Sequence, residues 1–374
     1  MCRSRLPIPA FVRFLWLVLT WSLLCAPRLL GGEPDLGLLV PPQGPGEIAP
    51  GEVAALVPPL PVEPSSTLQS EPQPAVLPSA PAAAAWQPCY WSVSSRNSAQ
   101  HPREWDGCPL DVFYRSPDGR LYRSNIPSLA ASLTPGAPVL ICIHGSFVSS
   151  DDNIKESAEA FENIRAAAPN LPLHIIFYTW PSDGPYTLLP AVDIAIRGDR
   201  AEFNGFHIAW LMSNISEDHP ICLLGHSHGC RTVMSTLQLV SGGSIHDYCF
   251  TGYKAPSRRM RAVMAAAAFD HNWLNPGQRY DRALPRVECV LNLQNQKDLP
   301  LAFYPITRPF AHRAIARSGL TWRDRTKLGA QSAKVADCDV THLLGHAHYW
   351  PEYYSRPQIL SVAAPYVYFV TTAR

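Results

Sequence analysis

The pentapeptide Gly225-His226-Ser227-His228-Gly229 constrains the fold of this chain more than any other feature, because of what flanks it. A continuous apolar run at 221–224 precedes it, and a stretch with helical periodicity follows it as far as about Val240. A G-x-S-x-G motif between a buried strand and a helix is typical of a nucleophile elbow, a turn too tight for side chains beside the serine. The sequence therefore predicts that the Ser227 hydroxyl stands above a sheet at the start of a helix.

Strands and helices alternate through the C-terminal part of the chain. Strand-like apolar runs occupy 139–143, 175–178, 262–269 and 287–293, with a short one near Val340, and helical spacing occupies 152–168 and 193–215. This alternation predicts an α/β fold with a mostly parallel, doubly wound sheet and helices on both faces. Ligands of such folds bind at the carboxyl ends of the strands, the end at which Ser227 is expected.

Composition restricts the classes of function. The chain has 374 residues, of which 47% are hydrophobic and 16% charged, so it can bury a sizeable core and form one or two domains. Its formal net charge is +1, and no basic run interleaves with aromatic residues, which argues against nucleic acid as a partner. The absence of a C-x-x-C pair disfavours a structural zinc site. Nothing in the sequence indicates an oligomeric state.

The first 88 residues differ in character from the rest. In 1–30, arginines precede a long apolar stretch, which predicts a signal peptide or, at roughly 20 apolar residues, a membrane anchor. Residues 31–88 are rich in proline and predict a disordered linker that holds 89–374, the folded domain, away from a membrane. We therefore expect an exported or membrane-anchored protein. Cys89 and Cys108 could form a disulfide in an oxidising compartment.

A serine hydroxyl needs a basic partner to act as a nucleophile, usually a histidine oriented by a carboxylate. Two carboxylates follow predicted strands after Ser227, namely Asp270 and Asp298, and position alone does not choose between them. The last loop offers three histidines. We predict His346, which follows a glycine just past the short strand, with His348 as the next candidate and His342 as the last.

A tetrahedral intermediate also needs N–H donors for its oxyanion. One is expected from the residue after the nucleophile, His228. The other is expected from the loop after the 139–143 strand, where Ser146 is the first choice and Phe147 the alternative. His226 and His228 have a metal-ligand spacing, but on an elbow their side chains point to opposite sides of Ser227, so we expect no shared metal.

Taken together, these motifs resemble those of a largely uncharacterised bacterial family of α/β-hydrolases, over roughly 137–354. The matching elements are the strand followed by His144-Gly145, the run Phe177-Tyr178-Thr179-Trp180-Pro181-Ser182, the elbow, Asn295 to Asp298, and Gly345-His346-Ala347-His348-Tyr349. His228 stands where the family usually has methionine. An extra residue near His348 leaves the choice between His346 and His348 open. Trp180-Pro181-Ser182 is expected either to shape the pocket or to pack beside the neighbouring loop.

The resemblance implies an α/β-hydrolase fold and favours Asp298 as the carboxylate, because in this family the acid follows the penultimate strand. The elbow, a carboxylate and a histidine in the right order at strand ends predict a serine hydrolase that acts on a small-molecule ester or lipid, in preference to an amide or thioester, through an acyl-enzyme on Ser227, without a metal or organic cofactor. Together with the predicted export signal, the resemblance implies a place in the bacterial cell envelope or periplasm. Two alternatives stay open at this point. One is a catalytically silent, anchored interaction protein, and the other is a metal hydrolase that uses His342, His346 and His348.

Overall fold

The computed structural model describes residues 89–101, 110–306 and 310–370. The predicted signal or anchor at 1–30, the predicted linker at 31–88 and Cys108 lie outside these residues. Within the described ranges, no helix is both long and apolar enough to cross a membrane.

A mixed sheet forms the centre of the described chain. Its strands are β1 (Tyr90–Ser94), β2 (Asp111–Arg115), β3 (Leu121–Ser124), β4 (Val139–Ile143), β5 (His174–Thr179), β6 (Ile221–His226), β9 (Met260–Ala265), β10 (Cys289–Gln294) and β11 (Val335–Asp339). A separate hairpin consists of β7 (Ser244–Ile245) and β8 (Tyr248–Cys249).

The sheet is parallel except at one edge. Its order is β11-β10-β9-β6-β4-β5-β1-β2-β3, and each neighbouring pair from β11 to β1 runs parallel. Only β2, which runs antiparallel to both β1 and β3, departs from this direction. The predicted α/β class with a mostly parallel sheet is thus confirmed, and the edge strands β1 to β3 are an addition that the sequence pattern did not predict.

Helices cover both faces of the sheet, as the doubly wound class requires. The longer ones are α1 (Ile126–Ser132), α2 (Ser150–Ala167), α3 (Pro190–Ser213), α4 (Gly229–Val240) and α10 (Pro357–Tyr368). Short ones are α5 (Leu299–Ala302), α6 (Ile315–Ser318), α7 (Trp322–Leu328), α8 (Thr341–Leu344) and α9 (Trp350–Tyr354). Helices α3 and α4 pack against each other, whereas α2 packs against α9 and α10. These are the two helical layers.

Strands β4 and β6 are the core of the sheet, and every residue in them is buried. They are neighbours, yet β4 connects onward to β5 on its other side. A crevice opens at the carboxyl ends of strands where the connections diverge in this way. The loop that begins at His144 and the elbow that begins after His226 both start at this carboxyl edge of the sheet.

Two predicted boundaries shift for a backbone reason. The helix predicted from Ser227 begins at Gly229, because Ser227 has a left-handed φ of 52° that no helix contains. The strand predicted over 262–269 ends at Ala265, because Ala266 has a left-handed φ of 49°. Both breaks lie at the carboxyl edge of the sheet, because His226 and Ala265 are paired across β6 and β9.

Candidate active site

Ser227 occupies a strained turn directly after β6. Its φ of 52° is rare for a residue with a side chain and costs of order 1–3 kcal/mol unless the surroundings fix it. Here they do. The Ser227 N–H donates to the Ala265 carbonyl at 2.9 Å, and its own carbonyl accepts from the Ala268 N–H at 3.3 Å. The end of β9 therefore holds the elbow in place.

The glycines of the motif are required by close approach of backbone to backbone. A Cβ on Gly229 would lie 2.3 Å from the Ile143 carbonyl oxygen, and one on Gly225 would lie 2.7 Å from the Cys230 nitrogen. On the facing loop, a Cβ on Gly145 would lie 2.9 Å from the Ser227 Cβ. No side chain fits at these three positions, so the loop after β4 lies directly against the serine.

Three side chains from separate loops form a chain of hydrogen bonds that begins at Ser227. His348 Nε2 lies 3.1 Å from Ser227 Oγ, and His348 Nδ1 lies 2.8 Å from Asp298 Oδ2. Asp298 is fully buried, and its second oxygen accepts from the Leu301 N–H at 3.0 Å, at the start of α5. Because a carboxylate only accepts, Nδ1 carries the proton of neutral His348, and the Nε2 lone pair faces the Ser227 hydroxyl.

The prediction of His346 as the partner of Ser227 is corrected by this geometry. His346 is exposed, and its ring Nδ1 lies 3.0 Å from the Lys297 carbonyl oxygen, to which it donates. His342 is also exposed and lies in α8. Since the short helix α8 occupies the residues that follow β11, the loop reaches the serine only at His348.

Between the two predicted carboxylates, the structure places Asp298 beside the histidine. Asp270 is instead part of a loop support, in which one oxygen accepts from the Tyr304 hydroxyl at 2.8 Å and the other from the His312 N–H at 3.1 Å. Asp270 therefore fixes a loop and has no contact with His348 among its hydrogen bonds to Tyr304 and His312.

A further histidine, His226, fixes the loop that carries His348. His226 Nε2 lies 2.6 Å from the His348 carbonyl oxygen, to which it donates. Burial, with a smaller contribution from nearby His348, lowers the pKa of His226 to about 3, so the ring is neutral and has one proton to donate. Asn295 Nδ2 donates to the Ala347 carbonyl oxygen at 3.0 Å and holds the same loop from the other side. The sequence carries no signal for this use of His226 beyond its place in the motif.

The N–H groups of the two predicted oxyanion donors, Ser146 and His228, are uncommitted. In the ranges that the structure describes, neither the Ser146 N–H nor the His228 N–H donates to another protein group. The Phe147 N–H, the alternative donor, is already bonded to the Ser182 carbonyl oxygen at 2.8 Å. Of the two choices on this loop, only Ser146 keeps its N–H available.

Trp180 and Ser182 fasten the loop that carries Ser146. The buried Trp180 indole stacks on His144 and donates from Nε1 to the His144 carbonyl oxygen at 2.9 Å. The Ser182 hydroxyl donates to the Val148 carbonyl oxygen at 3.1 Å and accepts from the Val148 N–H at 3.3 Å. The Trp180-Pro181-Ser182 motif thus packs beside the neighbouring loop and fixes its backbone.

The described residues contain one group with the geometry of a metal site, and it is not among the predicted histidines. It consists of Asp199, Glu202 and His246. Buried Glu202 already accepts from Arg279 at 2.8 and 3.1 Å and from the Tyr280 hydroxyl at 2.7 Å. A guanidinium therefore supplies the positive charge that Glu202 needs.

No protein-family profile matches this chain, and no curated protein is significantly similar to it.

Proposed function

We propose that this protein is a serine hydrolase of the α/β-hydrolase type that cleaves carboxylic esters through an acyl-enzyme on Ser227. The observation that carries the proposal is the hydrogen-bonded series Ser227, His348 and Asp298, set at the carboxyl ends of parallel strands with the serine on a strained turn. The motifs that resemble the bacterial hydrolase family support it.

In the first half of the reaction, His348 Nε2 accepts the Ser227 proton as the serine oxygen attacks the ester carbonyl. The buried Asp298 carboxylate then stabilises the positively charged imidazole, and its bond to Nδ1 keeps the ring in the tautomer that acts as a base. The same proton passes from Nε2 to the leaving alkoxide as the C–O bond breaks. In the second half, His348 activates a water that hydrolyses the acyl-enzyme.

Negative charge develops on the former carbonyl oxygen during both halves. The N–H groups of Ser146 and His228 are the donors proposed for it, since both flank the serine and neither has another acceptor among the described residues. Preorganised donors of this kind typically contribute about 10²–10³ in kcat each. No step in this scheme calls for a metal or an organic cofactor.

The test is covalent labelling combined with turnover. We expect the wild-type protein to react with a fluorophosphonate probe and to hydrolyse short-chain p-nitrophenyl esters, and Ser227→Ala to do neither. Ser355→Ala, a change at an exposed serine, is the matched control and should label as the wild type does. Labelling that persists in Ser227→Ala would exclude Ser227 as the nucleophile. A folded wild-type protein that no serine-directed probe labels would instead support the silent interaction protein.

A further inference from the structure

The side chains of Ser146 and His228, the two residues proposed to supply the oxyanion donors, contact each other. Ser146 Oγ lies 2.7 Å from His228 Nδ1, and these two residues also contribute the two uncommitted N–H groups. The methionine that the resembling family usually has at position 228 has no polar hydrogen and could not donate to a serine hydroxyl. The contact is therefore specific to the histidine of this chain.

The surroundings of His228 determine which of its ring nitrogens carries the proton. The ring is 6% exposed, and its Nε2 has no hydrogen-bond partner among the described residues. Burial, followed by the guanidinium groups of Arg231 and Arg197, lowers the pKa of His228 well below its ordinary value, so the ring is neutral with a single proton. A proton on Nε2 would be a buried donor without an acceptor. The proton therefore resides on Nδ1.

This tautomer determines the direction of the bond to Ser146. His228 Nδ1–H donates, and Ser146 Oγ accepts. The hydroxyl proton of Ser146 then remains free to donate, because within the described chain its oxygen has no second partner. Ser146 follows Gly145, the residue whose added Cβ would lie 2.9 Å from the Ser227 Cβ. A third uncommitted donor thus stands beside the two N–H groups.

We propose that the Ser146 hydroxyl is a third donor to the oxyanion, and that the His228 side chain is the positioning residue that turns its proton toward the reacting carbonyl. The inference rests on the proposed hydrolase function. The Ser146 proton stays on its oxygen throughout. Its hydrogen bond strengthens as the carbonyl oxygen becomes negative, so the effect falls on the transition state rather than on substrate binding.

The direct test compares Ser146→Ala, which keeps the backbone N–H, with Ser146→Thr, which also keeps a hydroxyl. We expect Ser146→Ala to lower kcat for p-nitrophenyl acetate by about 100-fold, as for other single oxyanion donors, with KM within about threefold of wild type. Its affinity for an alkyl boronic acid, which forms a charged tetrahedral adduct on the serine, should fall in parallel. Ser146→Thr should recover most of both. A kcat for Ser146→Ala within threefold of wild type would refute the proposal.

His228→Met and His228→Gln test the positioning role. We expect His228→Met to lose as much kcat as Ser146→Ala, and the double variant to lose no more than either, because both changes remove one interaction. His228→Gln, whose amide can donate to the same oxygen, should recover part of the loss. Additive losses in the double variant would contradict the coupling. Fluorophosphonate labelling of the wild type separates the outcomes, since an unlabelled wild type refutes the hydrolase itself, whereas a labelled one with an unaffected Ser146→Ala refutes only the third donor.

Discussion

At the scale of the residue, the histidines around the elbow differ in what their ring nitrogens contact. His144 and His226 donate to backbone carbonyl oxygens, and His228 contacts the Ser146 hydroxyl. Among the described histidines, His348 alone joins a serine to a carboxylate through its two ring nitrogens. A base must be able to take a proton from the nucleophile and be stabilised once charged. The contacts of His348 meet both conditions, whereas His144 and His226 hold loops and His228 contacts a second serine hydroxyl.

Separate replacement of His348 and His346 tests this assignment. We expect His348→Ala to lower kcat for ester hydrolysis by about 10⁴-fold or more, as for the removal of other triad members. We expect His346→Ala to stay within a few-fold of wild type, because its ring is exposed and contacts only the Lys297 carbonyl oxygen. Steady-state kinetics on p-nitrophenyl butyrate is the measurement. The reverse ranking would restore the prediction made from the sequence.

At the scale of the element, the ends of the strands could be predicted from the sequence, but the geometry of the loops could not. Ser227 and Asp298 each follow a strand whose apolar run is easily recognised, so both could be placed at the carboxyl edge of the sheet. The choice of histidine depends on the length of α8 and on contacts from Asn295 and His226, which are distant in sequence. No periodicity encodes such contacts. The elbow was predictable because the glycines that its tight turn requires stand within the pentapeptide itself.

The bond from His226 to the His348 backbone gives a prediction for the loop. His226→Leu removes the donor, and we expect it to lower kcat by about 10- to 100-fold with little change in KM, because a shift of about 1 Å in a catalytic group can cost about 10² in rate. His226→Gln can still donate to the carbonyl oxygen and should retain most of the activity. Equal activity of His226→Leu and wild type would show that the loop is held without this bond.

At the scale of the whole molecule, the α/β class followed from alternation alone, but the order of the strands did not. The edge strands β1 to β3 were not predicted. Strands β2 and β3 are largely half-buried or exposed, and serines interrupt the apolar residues of the buried β1, so none of the three has a long continuous apolar run. Strand β5 lies on the far side of β4 rather than between β4 and β6, and no local pattern reports this order. The position of the candidate site therefore depends on two things. One is the local chemistry of the turn, which the sequence shows, and the other is the order of the strands in the sheet, which it does not show.

Buried neutral histidines make the stability of the whole domain depend on pH. His144 and His226 are each 6% exposed, and burial is the main cause that lowers the pKa of both from 6.5 to about 3. As pH falls below 6.5, the unfolded chain binds a proton at each position and the folded chain does not. The free energy of unfolding therefore falls with decreasing pH, by up to about 1.4 kcal/mol per pH unit for each histidine. The stability that these two neutral histidines contribute to the folded domain is fully present above pH 6.5 and is lost progressively as the pH falls toward 3.

The contribution of one such histidine can be isolated by substitution. The measurement is urea unfolding of wild type and His226→Gln between pH 7 and 5. We expect the free energy of unfolding to fall less steeply with decreasing pH in the variant, with a difference in slope of up to about 1.4 kcal/mol per pH unit, the value for one proton. The difference between the two proteins is needed because Glu156, whose pKa burial raises to about 7, acts in the opposite direction in both. Identical slopes for wild type and His226→Gln would mean that His226 takes up its proton as readily in the folded chain as in the unfolded one.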